Sequence, residues 1–131
     1  MTKEKFHIEF LFDKASKNSL WEYISTSAGL AEWFADSVVV DGKRFSFQWK
    51  NHINEAEVIG IVPNNYIRFH WLEDENQATF FEFHLQKIEL TGGLSLMITD
   101  FTEKNEKESA IALWKTQIRT LKRVLGLQIK P

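Results

Sequence analysis

The chain has 131 residues, a formal net charge of −2, no cysteine, 11 phenylalanines and 5 tryptophans. The absence of cysteine excludes disulfides, iron–sulfur clusters and thiol catalysis, and the small net charge gives no long-range attraction to nucleic acid or to an anionic membrane. The length is typical of one domain, which we expect to span residues 1–131. The sequence contains neither a signal-peptide-like run nor a membrane-spanning run, which indicates a cytoplasmic protein.

The first part of the chain predicts one strand followed by two short helices. Residues 6–12 alternate in polarity, which is the period of a half-buried strand, and Ser16 can cap a helix. The stretch SLWEYISTSAGLAEWFAD, residues 19–36, then holds two apolar clusters separated by STSAG. Hydroxyl side chains compete with helical hydrogen bonds, and glycine disfavours helix through its backbone freedom. We therefore predict a break near Thr26 and Ser27, with the two tryptophans serving mainly in packing.

Residues 37–102 are typical of about six further strands. Apolar and polar side chains alternate through 45–49, 67–71 and 81–85, while the acidic LEDENQ stretch and the TGG sequence predict turns between strands. Four polar side chains fall on the face opposite the aromatic one, where we expect a solvated patch rather than a metal or acid–base site: Arg68, His70, Glu82 and His84.

The last segment predicts a helix of about twenty residues. Asn105 and Glu108 have the spacing of a capping box. Apolar residues then recur every three or four positions, and Gly126 is expected to end the helix. One helix is only about 10–12 Å wide and cannot cover six or seven antiparallel strands that remain flat. We therefore predict an α+β fold in which the sheet curls around the C-terminal helix and leaves a cavity at its open end.

Four segments resemble the START-like, helix-grip superfamily, and within it the homologues of the activator of the heat-shock ATPase chaperone. Residues 20–34 match the family stretch v-W-e-a-l-t-d-p-e-g-l-a-e-W-f, although Ser27 replaces its usual proline. Residues 57–71 follow the family pattern around Pro63, 92–96 resemble G-G-T-x-L, and Trp114 begins the apolar stripe of the closing helix. The resemblance implies a helix-grip fold, and the wider superfamily includes the polyketide cyclases.

The expected function is binding of a small, largely apolar ligand, either a lipid or an aromatic compound, between the sheet and the last helix. Nearly every inward residue is aromatic or aliphatic, as in most small-molecule sites. The predicted lining is drawn from Phe47, Trp49, Phe69, Trp71, Phe81, Phe83, Trp114 and Gln117. Asp100 follows Leu96 and Ile98 in phase, and a turn or cap role is favoured for it over a place at the cavity mouth.

Two other functions stay open. The chaperone-activator resemblance implies a possible protein partner, which a large exposed apolar patch would favour. A cyclase-like or hydrolase-like enzyme would need acid–base groups that converge inside the cavity. The sequence carries no nucleophile elbow, phosphate loop or dinucleotide fingerprint, so we assign no catalytic residue, metal or cofactor and favour a non-enzymatic role.

Overall fold

The computed structural model describes residues 3–126, so the two ends of the expected 1–131 domain lie outside the described residues. These described residues form one strand, two short helices, six further strands and a long helix. In chain order these are β1 (Lys3–Leu11), α1 (Lys17–Ser25), α2 (Ser27–Leu30), β2 (Ser37–Asp41), β3 (Arg44–Trp49), β4 (His52–Val62), β5 (Tyr66–Trp71), β6 (Phe81–Lys87), β7 (Leu94–Glu103) and α3 (Lys107–Val124).

The strands form one antiparallel sheet in the order β1-β7-β6-β5-β4-β3-β2. Each strand from β2 to β6 pairs with the next one along the chain, and β1 pairs with β7 at the other edge of the sheet. A register shift between Val58 and Gly60 marks a bulge in β4, a feature that bends a strand and increases its twist. The sheet curls around α3, so the predicted helix-grip fold is confirmed.

The 19–36 stretch forms two helices because Thr26 interrupts the helical hydrogen bonding. Its hydroxyl donates to the Glu22 carbonyl oxygen across 2.7 Å and accepts from the Gly29 amide across 2.9 Å. Ser16 caps α1 by accepting from the Ser19 amide. A Cβ at Gly29 would lie only 2.6 Å from the Tyr23 Cα. The predicted break is confirmed, and the glycine allows the two helices to approach closely.

The core is formed mainly by aromatic and branched side chains between the curled sheet and α3. Trp114, Ile118 and Leu121 are the buried residues of α3. The largest fully buried side chains include Phe12, Phe47, Phe69, Phe81, Phe83, Ile67, Leu96 and Ile98. Within residues 3–126, no helix is both long enough and apolar enough to cross a membrane.

The predicted capping box at the start of α3 is wrong. Residues Lys104–Glu106 instead form one turn of 3₁₀-helix, so Asn105 lies within that turn and α3 begins at Lys107. Glu106 is the residue at the N-cap, and no side chain caps this end. The other end follows the prediction, because Gly126 has a φ of +76° just after the helix, the conformation in which glycine commonly ends helices.

The outer face of the sheet also differs from the solvated patch that the sequence predicts. His70 is only 6% exposed, and its Nδ1 lies 2.8 Å from the carbonyl oxygen of Thr79. The loop after β5 therefore shields the imidazole ring. Arg68 and Glu82 do pair across the same face, with 2.8 Å between Nε and Oε1. Strand alternation gives the face of His70 correctly, but it carries no information about a loop that folds over that face.

Candidate ligand-binding cleft

A cleft of about 410 Å³ lies at one end of the sheet, between the sheet and α3. Residues from the five strands β3 to β7 line it, together with residues 110–117 of α3 and Phe34 in the segment after α2. This volume falls within the roughly 300–1,000 Å³ of small-molecule sites. The lining consists of Phe34, Trp49, His52, Asn54, Trp71, Phe81, Asp100, Ala110, Leu113, Trp114 and Gln117.

Five of the eight residues selected from the sequence line this cleft: Trp49, Trp71, Phe81, Trp114 and Gln117. The other three, Phe47, Phe69 and Phe83, do not line it and have no exposed surface. They lie behind the cleft walls: the Phe69 ring stacks on Phe81 at 4.9 Å, and Phe83 meets Trp114 edge to face at 5.8 Å. The three phenylalanines therefore support the rings that reach the cleft.

The aromatic walls of the cleft are packed against one another. The Phe34 and Trp114 rings stack with centroids 5.8 Å apart, and Trp71 stacks on Phe81 at 4.8 Å. Trp49 packs edge to face against Phe34 at 5.6 Å. These separations are typical of favourable aromatic pairs. These ring–ring contacts therefore fix the shape of the cleft walls before any ligand is bound.

The carbonyl oxygen of Phe34 fixes two of the lining side chains. It accepts a hydrogen bond from Trp49 Nε1 at 3.0 Å and another from Gln117 Nε2 at 3.2 Å. This one acceptor thus links the segment after α2 to β3 and to α3. One N–H of the Gln117 amide is thus satisfied within the protein, which helps to accommodate a polar side chain beside the apolar stripe of the helix.

Asp100 is the carboxylate of the cleft, and it lies on the inner face of β7. Its Oδ2 accepts from Trp114 Nε1 at 2.9 Å, and its Oδ1 accepts from the Phe101 amide at 2.8 Å. Burial raises the pKa of Asp100 to about 6, although these two hydrogen bonds and the charge of Lys3 act in the opposite direction. The sequence-based turn or cap role is therefore wrong, because Asp100 lies within β7 and its side chain lines the cleft.

Six lining residues were not among those selected from the sequence: Phe34, His52, Asn54, Asp100, Ala110 and Leu113. The phase of Asp100 with Leu96 and Ile98 was a usable signal, since both of these residues are fully buried. His52 and Asn54 carry no such signal, because they begin β4 and are brought to the cleft by its pairing with β3. Leu113 is 60% exposed and lies at the cleft edge.

An acidic basin of about 560 Å³ adjoins the cleft, and the two share Asn54 and Trp71. Its other lining residues are Lys3, Glu73, Asp74 and Glu75. Lys3 Nζ lies 3.1 Å from Asp74 Oδ2. The hydroxyl of Thr79 is the main cause that lowers the pKa of Asp74 to about 2, with further help from the Asn76 amide and Lys3.

Across residues 3–126, no three His, Asp or Glu side chains are grouped so that they could hold a metal ion.

This combination of a curled antiparallel sheet, a gripped helix and an apolar cleft at the open end defines a helix-grip protein. Residues 1–127 match the family described as the START-like superfamily domain. The chain belongs to this superfamily, as its sequence motifs indicate. No curated protein sequence matches the chain.

Solved structures with similar coordinates share this fold. The chain is similar to BfR322 from Bacteroides fragilis, with 44% identity over 99% of this chain and 96% of that one and a TM-score of 0.68. It shares 18% identity with Aha1 from Colwellia psychrerythraea, solved as a dimer, over 95% and 96% of the chains with a TM-score of 0.73. DynU16, a protein of the dynemicin biosynthetic locus, is 16% identical over 93% of this chain and 47% of its own, with a TM-score of 0.74. The last two likenesses concern the fold alone.

Proposed function

We propose that the protein binds a small, largely apolar molecule in the cleft between the sheet and α3. The observation that carries this proposal is a concave surface of about 410 Å³ whose walls include five aromatic rings: Phe34, Trp49, Trp71, Phe81 and Trp114. Clefts of this kind, with many apolar groups and a few polar ones, are the usual form of small-molecule sites.

The exposure of the rings supports the proposal. Trp49 and Trp71 are only partly buried, whereas the neighbouring Phe47 and Phe69 are fully buried. A ligand that covered the two indoles would remove apolar surface from water, at about 25 cal/mol per Å². Trp49 is already held by its hydrogen bond to the Phe34 carbonyl. Ligand binding would therefore cost little side-chain entropy at this position.

We assign direct contacts with the ligand to Trp49, Trp71, Phe81 and Trp114. Gln117 would keep the wall in place through its bond to the Phe34 carbonyl. Phe47, Phe69 and Phe83, which were also selected from the sequence, would act by supporting the rings in front of them.

The test is a thermal-shift and amide-NMR titration with 2-naphthol, a flavonoid, a fatty acid and a sterol. A ligand at a hundred times its dissociation constant stabilises the folded state by about 2.7 kcal/mol, which raises the melting temperature of a domain of this size by roughly 5–10 °C. At least one compound should give a saturable shift, with amide changes at Trp71 and Trp114. If neither this panel nor an aromatic amine of similar size gives one, the proposal is wrong.

A pair of tryptophan substitutions on α3 separates cleft binding from non-specific adsorption. Ala110 lines the cleft, whereas Ala112 is exposed on the same helix and does not line it. Ala110→Trp should fill the cleft and abolish the saturable shift, and Ala112→Trp should leave it unchanged. Equal binding by both variants would place the compound elsewhere.

A second candidate function is self-association through the edge strand β2. This strand pairs only with β3 among the described strands, and its Val39 and Val40 are 65% and 39% exposed. Unprotected apolar edge strands are common sites of strand addition, and one structural relative was solved as a dimer. Light scattering should then show that the wild type is a dimer and that Val39→Lys is a monomer. Leu90→Lys, a control at a fully exposed turn, should remain a dimer. A monomer in all three proteins would refute this candidate.

A further inference from the structure

The charges around the cleft are strongly one-sided. Among its described lining residues none is Lys or Arg, and Asp100 supplies a carboxylate. The adjoining basin adds Glu73, Asp74 and Glu75, together with Lys3, whose ammonium group is engaged with Asp74. A molecule that enters from the basin side therefore meets a negative potential, and low-dielectric walls strengthen such a field.

Asp100 presents acceptors to the cleft, whereas several donors of the cleft walls are already engaged. Two indole donors and one amide donor are already used inside the protein: Trp114 donates to Asp100, while Trp49 and Gln117 donate to the Phe34 carbonyl. An ionised carboxylate has about four acceptor positions, and Asp100 uses two of them. The remaining capacity at Asp100 thus consists of acceptors, so a complementary ligand must bring donors.

We propose that the cleft selects an organic cation, namely a protonated amine carried on an aromatic or alkyl body. The ammonium group would lie at Asp100, and the apolar body would pack against Trp71, Phe81 and Trp114. This inference rests on the proposed binding function and adds to it the chemical class of the ligand.

Two physical terms favour a cation over a neutral molecule of the same shape. Aromatic faces attract a cation, most strongly where water is excluded, and Trp71 and Trp114 both line the space beside Asp100. A neutral ligand that covered Asp100 would remove water from the carboxylate and replace that solvation with an uncharged donor at best, which compensates less than an ammonium group. An anion would in addition be repelled by Asp100 and by the acidic basin.

The test uses three probes that share one body and differ at one end: 4-phenylbutylamine, 4-phenylbutan-1-ol and 5-phenylpentanoate. Calorimetric titrations at neutral pH should show the amine binding about tenfold more tightly than the alcohol, with the carboxylate weakest. High salt should narrow these differences, because exposed charges such as Glu73 and Glu75 are screened.

Asp100→Asn removes the charge and keeps an oxygen that can accept from Trp114, so it should abolish the preference for the amine over the alcohol. Glu89→Gln is the matched control, since it removes one negative charge at an exposed turn at the other end of β6; it should preserve the preference.

The outcomes separate the inference from the function on which it rests. Equal or tighter binding of the alcohol or the carboxylate would overturn cation selection and leave cleft binding intact. Amine preference that persists in Asp100→Asn would also overturn it. If these probes and the naphthol, flavonoid, fatty-acid and sterol panel all fail to bind, the proposed function falls together with the inference.

Discussion

The indole N–H of Trp114 donates a hydrogen bond to Oδ2 of Asp100 across 2.9 Å, and it thereby joins α3 to the last strand beside the cleft. Trp114 is 6% exposed, and its ring stacks on Phe34. A large buried ring and a partly buried carboxylate thus depend on each other: the strand carboxylate satisfies the indole donor, and the indole replaces part of the water that Asp100 loses.

Replacement of Trp114 separates ring packing from this hydrogen bond. Trp114→Ala should lower the free energy of unfolding by about 3–5 kcal/mol, since it empties a large volume of the core. Trp114→Phe keeps most of the packing and removes the donor to a charged acceptor, so about 1.5–3 kcal/mol is expected. Urea denaturation measures both values.

The control for these variants is Leu113→Ala on the same helix, where 60% of the leucine is exposed. We expect a loss below about 1 kcal/mol for it, as for most surface changes. A loss of that size for Trp114→Ala would contradict the packing described for α3.

The titration of Asp100 should make the folded state less stable as the pH rises. Burial raises the pKa of Asp100 from 3.8 to about 6, so between these values the folded protein holds a proton that the unfolded chain has released. The free energy of unfolding attributable to this group therefore falls with rising pH through this window, by roughly 1–3 kcal/mol. Denaturant unfolding at several pH values should show this loss in the wild type.

Asp100→Asn cannot titrate and should lack this loss. The free energy of unfolding of the variant should therefore rise relative to that of the wild type between pH about 4 and pH about 6. Asp74 does not mask the effect: its pKa is lowered to about 2, so its stabilising contribution is lost only as the pH falls below about 4. Parallel pH profiles for the wild type and the variant would show that Asp100 ionises at its ordinary pKa.

Gly29 should be intolerant of any side chain. A Cβ at this position would press on the Glu22 carbonyl and lie 2.6 Å from the Tyr23 Cα, and both neighbours are backbone atoms that cannot rotate away. Gly29→Ala should therefore cost about 1–3 kcal/mol or more, despite the higher helix propensity of alanine. Ala28→Ser, one residue earlier and exposed, should change the melting temperature little. Equal melting temperatures for the two variants would refute the close contact.

His70 should stabilise the loop after β5 through one nitrogen only. The Thr79 carbonyl can only accept, so Nδ1 carries the proton, while Nε2 is buried without a partner in the described structure. His70→Asn can place an amide donor near the Nδ1 position and removes Nε2, so it should retain more stability than His70→Ala. Hydrogen exchange of residues 72–80 should accelerate most in His70→Ala. Identical exchange in both variants would mean that the bond does not hold the loop.

The elements of this fold could be predicted because each has a periodicity that depends on neighbouring residues alone. The break at Thr26 follows from local competition for hydrogen bonds, and α3 follows from its apolar stripe. How deeply a side chain is buried cannot be predicted from such local patterns. Phe47 and Trp49 lie two residues apart on one face of β3, yet Phe47 is fully buried and Trp49 lines the cleft. That difference is set by where α3 crosses the sheet, which no local pattern encodes.

The positions of the five tryptophans have a spectroscopic consequence. Trp49, Trp71 and Trp114 line the cleft, whereas Trp21 and Trp33 belong to the layer formed by α1 and the segment after α2. Three of the five indoles of this protein therefore lie beside the cleft, and Trp114 lies next to a carboxylate whose pKa burial raises to about 6. Fluorescence excited at the red edge of the indole band can thus report occupancy of the cleft, and the protonation of Asp100, without any attached label.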